Sequence, residues 1–222
     1  MKNKYTEKLE DVIKQMLRPI KDIPFNLVIE AISGCSVIPF DINDKKDKKI
    51  LDSLIKAVNI AGSEINKEGI IRPRPNEVGN DVEKYIMTAL NELGYKADKP
   101  TTASGKKMST GYPDIEFIDE NSQISYLECK TYNIKSKSTS FRSFYLSPSE
   151  SFKVTNKAHH FAASYEIYVS GTRGENKIYK CRAWKILTLE NLSIDVKYEF
   201  QSDNKRLYSK ELILAEGKFE ES

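Results

Sequence analysis

Asp114, Glu128 and Lys130 are the residues of this 222-residue chain whose types and spacing can do chemistry. Glu128 and Lys130 stand two apart in Ile124-Ser-Tyr-Leu-Glu-Cys-Lys130, a run that reads as a strand, so both project from one face. Asp114 opens a second strand pattern, Asp114-Ile-Glu-Phe-Ile118, just after Pro113, and Asp119-Glu-Asn-Ser122 supplies a turn between the two. A hairpin with this turn brings Asp114 beside Glu128. Two converging carboxylates repel unless a cation sits between them. Hard oxygen ligands suit Mg²⁺, which keeps waters and takes phosphate oxygens. A neighbouring lysine can orient or deprotonate an attacking water, or steady charge on a phosphorane-like transition state. Together these groups could cut a phosphodiester. The alternative is a solvated hairpin whose charges face water. Against it, Tyr126 shares the Glu128/Lys130 face while Leu127 and Cys129 take the other. A strand covered on both sides needs a reason to carry a carboxylate and a lysine.

The preceding chain reads as helices that must position this hairpin. Leu9, Val12, Ile13, Met16, Leu17 and Ile20 form one apolar helical stripe after a Thr6 N-cap, ended by Pro19. A short helix over 24–33 closes at Gly34, and a third begins near Asn43–Asp44 with Ile50, Leu51, Leu54, Ile55, Val58, Ala61 and Ile65 on one face. Arg72-Pro-Arg-Pro75 is an extended connector. A fourth helix buries Val78, Val82, Tyr85, Ile86, Ala89, Leu90 and Leu93 and stops at Gly94. Residues 97–111 read as loop, 131–151 as a serine- and lysine-rich loop and 152–163 as a helix. Strands are expected over 165–169 and 178–187, and 194–200 alternates. No internal repeat or low-complexity tract is present.

Gly79-x-x-x-Glu83, helix, Gly94-Tyr95, loop, Pro113-Asp114, hairpin, Glu128-x-Lys130 resembles the core of the PD-(D/E)XK nucleases. More narrowly, Arg74-Pro-Asn-Glu-Val-Gly-Asn-Asp-Val-Glu83, Thr110-Gly-Tyr-Pro-Asp114, Leu127-Glu-Cys-Lys-Thr-Tyr132 and Arg142-Ser-Phe-Tyr-Leu-Ser-Pro-Ser-Glu-Ser-Phe-Lys153 resemble a type II restriction endonuclease. The resemblance implies an α/β (α+β) fold: a restriction-endonuclease-like αβββαβ core over about residues 76–170, its mixed central sheet flanked by helices, plus an N-terminal helical layer. It implies an N-terminal helical region over 1–70, for dimerisation or as a DNA clamp, and a nuclease core with C-terminal strands over 71–222. Asp114 and Glu128 match the metal ligands, Lys130 the lysine that assists the attacking water, and Glu83 the acid of the first core helix. Glu77 is a second candidate for that helix acid. It serves equally as a first-turn acid complementing the helix dipole.

Lys and Arg number 35 against 32 Asp and Glu, a formal charge of +3, so any claim on nucleic acid rests on where the charge lies. Between 130 and 160 there are six cations, Lys130, Lys135, Lys137, Arg142, Lys153 and Lys157, against one acid, Glu150. Serines and aromatic residues are interleaved among them. This stretch, with Lys106 and Lys107 before the hairpin, suits a phosphate track; the alternative is a solvated loop. His159–His160 could lie near DNA, although such a pair is more often one packed and one exposed residue. Cys129 and Trp184 read as core. Three scattered cysteines, Cys35, Cys129 and Cys181, exclude a disulfide framework and a zinc knuckle, and two histidines exclude a multi-histidine metal site. No apolar run is long enough to span a bilayer, no signal peptide is visible, and a cytoplasmic location is expected.

The expected activity is Mg²⁺-dependent, sequence-specific cleavage of double-stranded DNA at a short palindromic site, leaving 5′-phosphates. A homodimer and a cognate DNA methyltransferase follow from that role. A structure-specific resolvase or repair nuclease, and a non-catalytic DNA-binding protein on the same fold, are the alternatives.

Overall fold

A computed structural model describes residues 4–18, 20–108, 110–133, 144–146, 151–196, 206, 209 and 212. The chain is a mixed α+β protein whose centre is a six-stranded mixed sheet flanked by helices. Its contacts divide it into two compact units, one of residues 23–194 and one of residues 1–22 with 195–222. The smaller unit contains α1 (Lys4–Met16). β1 (Ile20–Pro24) and β8 (Ser193–Val196) form a two-stranded sheet.

In the larger unit, α2 (Phe25–Ser33) ends at Gly34, whose φ of 72° is the left-handed conformation that glycine adopts without strain. α3 (Lys45–Glu68) starts at Asp44, whose carboxylate accepts from the backbone N–H groups of Lys46 and Asp47. Next come β2 (Ile70–Arg72), a short 3₁₀ turn over Pro75–Glu77 and α4 (Val78–Glu92). β3 (Lys96–Asp98), β4 (Ile115–Ile118), β5 (Ile124–Tyr132), β6 (His159–Arg173) and β7 (Asn176–Thr188) complete the sheet. The strand order is β2-β7-β6-β5-β4-β3, antiparallel throughout except for the parallel pair β5–β6.

β5 is central and covered on both faces, and its side chains alternate between two cores. Leu127 and Cys129 join the helical layer, among them Leu54, Val58, Val82, Ile86 and Leu90 of α3 and α4. Tyr126 packs on the other side with Phe25 and Ile29 of α2, Tyr112 and Ala162. Polar clamps fasten the helices to the strands. Asn66 of α3 exchanges two hydrogen bonds with the backbone of Cys181 at 2.9 and 2.7 Å. Asn91 of α4 does the same with Ala97 at 2.9 and 3.0 Å. The Tyr165 hydroxyl of β6 donates to the Val58 carbonyl of α3 at 2.6 Å.

Several expectations are corrected. The segment 97–111 is not all loop, because β3 pairs with β4 and is held by Asn91. No helix occupies 152–163; residues 152–158 are irregular and β6 begins at His159. The apolar residues Val154, Ala158, Phe161 and Ala162 have helical spacing, but β6 is buried on both faces and so lacks the alternation that marks a strand. The described residues of the β5–β6 crossover hold no helix. Residues 1–70 also carry strands, β1 and the start of β2.

Tyr165→Phe removes a buried hydrogen bond between sheet and helix while keeping the ring. It is expected to lower stability by about 0.5–1.5 kcal/mol in urea titration and to leave the cleft chemistry unchanged.

Candidate active site

The hairpin puts the two strand carboxylates together. Ile115 pairs with Leu127, so continuing the antiparallel register sets Asp114 opposite Glu128. Asp114 Oδ2 accepts from the Cys129 backbone N–H at 2.8 Å, which fixes its carboxylate against β5. Glu128 is 4% exposed. Its Oε1 meets Lys130 Nζ at 2.6 Å, and its Oε2 is buried with no hydrogen-bond partner among the described residues. Its parallel neighbour across the ladder is Ala162, whose small side chain leaves room for the carboxylate. Lys130 also lies 5.9 Å from the centre of the Phe144 ring.

α4 contributes the third acid. Glu83 lines the same open cleft of about 490 Å³ as Asp114, Glu128 and Lys130, together with Arg72, Asp81, Lys99 and Tyr112. Its pKa is pushed up to about 7, first by burial and then by the Asp114 charge. Burial also raises the carboxyls of Asp114 and Glu128; the neighbouring Asp114 charge raises Glu128 further, while the Cys129 N–H and the Lys130 charge hold Asp114 down. Glu77 is placed elsewhere. It sits in the turn before α4, outside the residues that line this cleft, where its charge acts on Arg72 and Tyr179.

The expected cation track is scattered. Lys135, Lys137 and Arg142 lie outside the described residues. Lys106 is exposed in the loop before the hairpin, and Lys107 pairs with Asp98. Lys157 is exposed after the crossover. Lys153 is not on the surface. It is 3% exposed, burial lowers its pKa, and the charges of Asp114, Glu128 and Glu83 pull it back up. Its place in a basic run suggests a solvent-facing track, whereas it is a buried cation in the field of the acids.

An aromatic block lies beneath the cleft. The Tyr112 hydroxyl and His160 Nδ1 share a hydrogen bond of 2.6 Å, and the two rings stack 5.8 Å apart. Phe25 meets Tyr112, Phe144 and His160 edge-on. Burial depresses His160 to about 3, so it is neutral. Both histidines are buried on a strand, not split between core and solvent on a helix. His159 bridges the Ile38 carbonyl at 3.1 Å and Asp47 at 3.2 Å. Cys129 is core, and Trp184 is half-buried with its Nε1–H donating to Asn59 Oδ1 at 3.0 Å.

Among the described residues, no three His, Cys, Asp or Glu side chains form a preformed ligating cluster. The cleft nevertheless fits a hard divalent cation. Glu128 Oε2 is buried without a hydrogen-bond partner among the described residues, and the charge of the neighbouring Asp114 raises the cost of ionising Glu128. Such a site carries a stability cost in the metal-free protein. A carboxylate whose folded-state pKa lies above its unfolded one destabilises the fold as it ionises. Stability should therefore fall as pH rises from the ordinary carboxylate range through about 7. Glu83→Gln removes that cost. In EDTA at pH 8 it is expected to melt a few degrees above wild type, with the gap closing at pH 5.

The model of the type II restriction enzyme MjaV family matches residues 19–211. The chain is similar to the type II restriction enzyme MjaV of Methanocaldococcus jannaschii, with 38% identity over an alignment of 227 positions that covers 96% of each chain. No solved structure matches.

Proposed function

The chain belongs to the MjaV family of type II restriction enzymes, site-specific deoxyribonucleases, and from that premise we propose that the Asp114–Glu128–Lys130 cleft is its DNA-cleaving centre. Family membership favours site-specific cleavage over the resolvase and the non-catalytic alternatives. The observation that carries the reading is the buried Oε2 of Glu128, without a hydrogen-bond partner among the described residues, in a cleft shared with Asp114, Glu83 and Lys130.

Enzymes of this type generally use a divalent metal. Here Mg²⁺ is proposed, held by Asp114 and Glu128, with Glu83 completing or orienting the shell. The ion would neutralise the carboxylates and polarise the scissile phosphate. Asp114 is kept in place by the Cys129 N–H, and Glu128 by the Lys130 ammonium. Lys130 is a donor to Glu128, so its part is to orient the attacking water and steady negative charge on the phosphoryl oxygens. Water attacks phosphorus in line and the P–O3′ bond breaks. The products are a 5′-phosphate and a 3′-hydroxyl.

Cutting both strands of a short palindromic site takes two such centres related by twofold symmetry, hence a homodimer. The helices of the first seventy residues are proposed as its interface or as a DNA clamp. Exposed Lys106 and Lys157, with Lys135, Lys137 and Arg142, are proposed contacts to double-stranded DNA, as is Lys107 when it leaves Asp98. Lys153 is assigned to the same interface from beneath the cleft, through its charge. A restriction role also pairs the enzyme with a DNA methyltransferase that protects the host genome, in a cytoplasmic setting. Among the described residues no helix is long and apolar enough to cross a membrane.

Purified protein incubated with unmethylated phage DNA is expected to give discrete bands with Mg²⁺ and none with EDTA. Lys130→Ala should slow cleavage by at least about 10²-fold. A smear in place of bands, or a Lys130→Ala protein that cuts at the wild-type rate, would overturn the reading.

A further inference from the structure

Arg72 is used neither by the motif nor by the metal chemistry, yet it lines the same cleft as Asp114, Glu128 and Lys130. It is the last residue of the edge strand β2. Its guanidinium meets Asp81, in the first turn of α4, through two parallel hydrogen bonds: Nε to Oδ2 and Nη2 to Oδ1, both 2.7 Å. The pair is lopsided. The Asp81 side chain is 15% exposed and that of Arg72 is 43% exposed.

A guanidinium carries five N–H donors. Asp81 takes two of them, and no other described acceptor takes the rest. A planar fork gripped along one edge presents its remaining donors in a fixed orientation, the arrangement that receives a phosphate. The surroundings select a phosphate rather than a base edge. A cleft that cleaves DNA must hold the sugar–phosphate backbone of the cut strand, and contacts to that backbone set the register of the duplex. A DNA strand entering a cleft that holds Asp81, Glu83, Asp114 and Glu128 also needs cations to meet it.

We propose that Arg72, oriented by Asp81, binds a backbone phosphate of the cleaved DNA strand beside the scissile one. Arg72 touches the substrate; Asp81 is a positioning residue. This inference rests on the reading of the cleft as the cleavage centre and deepens it.

The test is binding without cutting, in an Asp114→Asn background, to a short random-sequence duplex and to a duplex carrying the site mapped from the cleavage fragments. Affinity is followed from about 50 to 200 mM salt. Two variants are compared with that parent. Arg72→Gln removes the fork. The double change Arg72→Gln with Asp81→Asn removes both charges at once, leaves no lone carboxylate and keeps the net charge, so it decides the matter if the single variant does not fold. Loss of one phosphate contact is expected to flatten the dependence of log K on log salt by about 0.9. It should weaken binding several-fold and equally on both duplexes, with a melting temperature close to the parent's. An unchanged slope and affinity would mean that the pair only fastens β2 to α4, and the proposal falls. Weakening confined to the site-bearing duplex would mark a base contact, and the proposal falls likewise. The two readings fail separately. If Asp114→Asn still cuts DNA with Mg²⁺, the cleft is not the cleavage centre. If it is silent but the slope does not move, only Arg72 is wrongly assigned.

Discussion

Two carboxylates forced together under partial burial set the terms for the rest of this molecule. In water Asp114 and Glu128 would repel each other weakly and ionise in the ordinary range. At the end of a hairpin whose second strand is covered on both faces, their charges are poorly solvated and act on each other at close range. The fold does not relieve this with a full set of hydrogen bonds. It clamps one oxygen of each group, Asp114 by the Cys129 N–H and Glu128 by Lys130, and leaves Glu128 Oε2 buried without a partner among the described residues. A buried carboxylate oxygen without a partner costs the fold stability, and that cost is what the proposed cation would offset.

The two hydrophobic cores make that arrangement sustainable. The helical layer of α3 and α4 buries the Leu127/Cys129 face, and α2 with the aromatic block of Phe25, Tyr112, Phe144 and His160 buries the other. β5 is therefore packed on both faces while Glu128 and Lys130 stay at the cleft. Tyr112 belongs to the block and also lines the cleft, two residues before Asp114, so packing beneath the site is carried directly to a carboxylate of the cleft. Ion pairs at the rim are of a different kind. Arg72–Asp81 is half-exposed and joins the edge strand to the helix that carries Glu83, which places the third acid relative to the sheet.

Legibility in the sequence followed the range of the interactions. The Asp44 and Gly34 caps, the stripes of α3 and α4, and the β4–β5 hairpin are settled within a few residues, and each is readable. β3 is three residues long and exists because Asn91 and β4 hold its backbone, which leaves no local pattern to read. β6 imitates a helix in its first residues because a strand buried on both faces loses its alternation. Lys153 resembles its neighbours in a basic run, and nothing in that composition indicates that one lysine turns inward.

The sequence by itself determined the hairpin, and with it the pairing of Asp114 with the Glu128–Lys130 face, because strand alternation and a short turn are local rules. It also carried the family resemblance, through motifs at fixed order. Only the tertiary structure decided which helix acid meets the hairpin. Glu83 and Glu77 are both suitable acids near the start of one helix. Packing α4 on the sheet through Val82, Ile86 and Leu90 brings Glu83 to the cleft and leaves Glu77 outside it. Tertiary structure decided the electrostatics as well: raised carboxyls, a buried lysine and an oriented Arg72 all arise from burial and from neighbours distant in the chain, which no local spacing encodes.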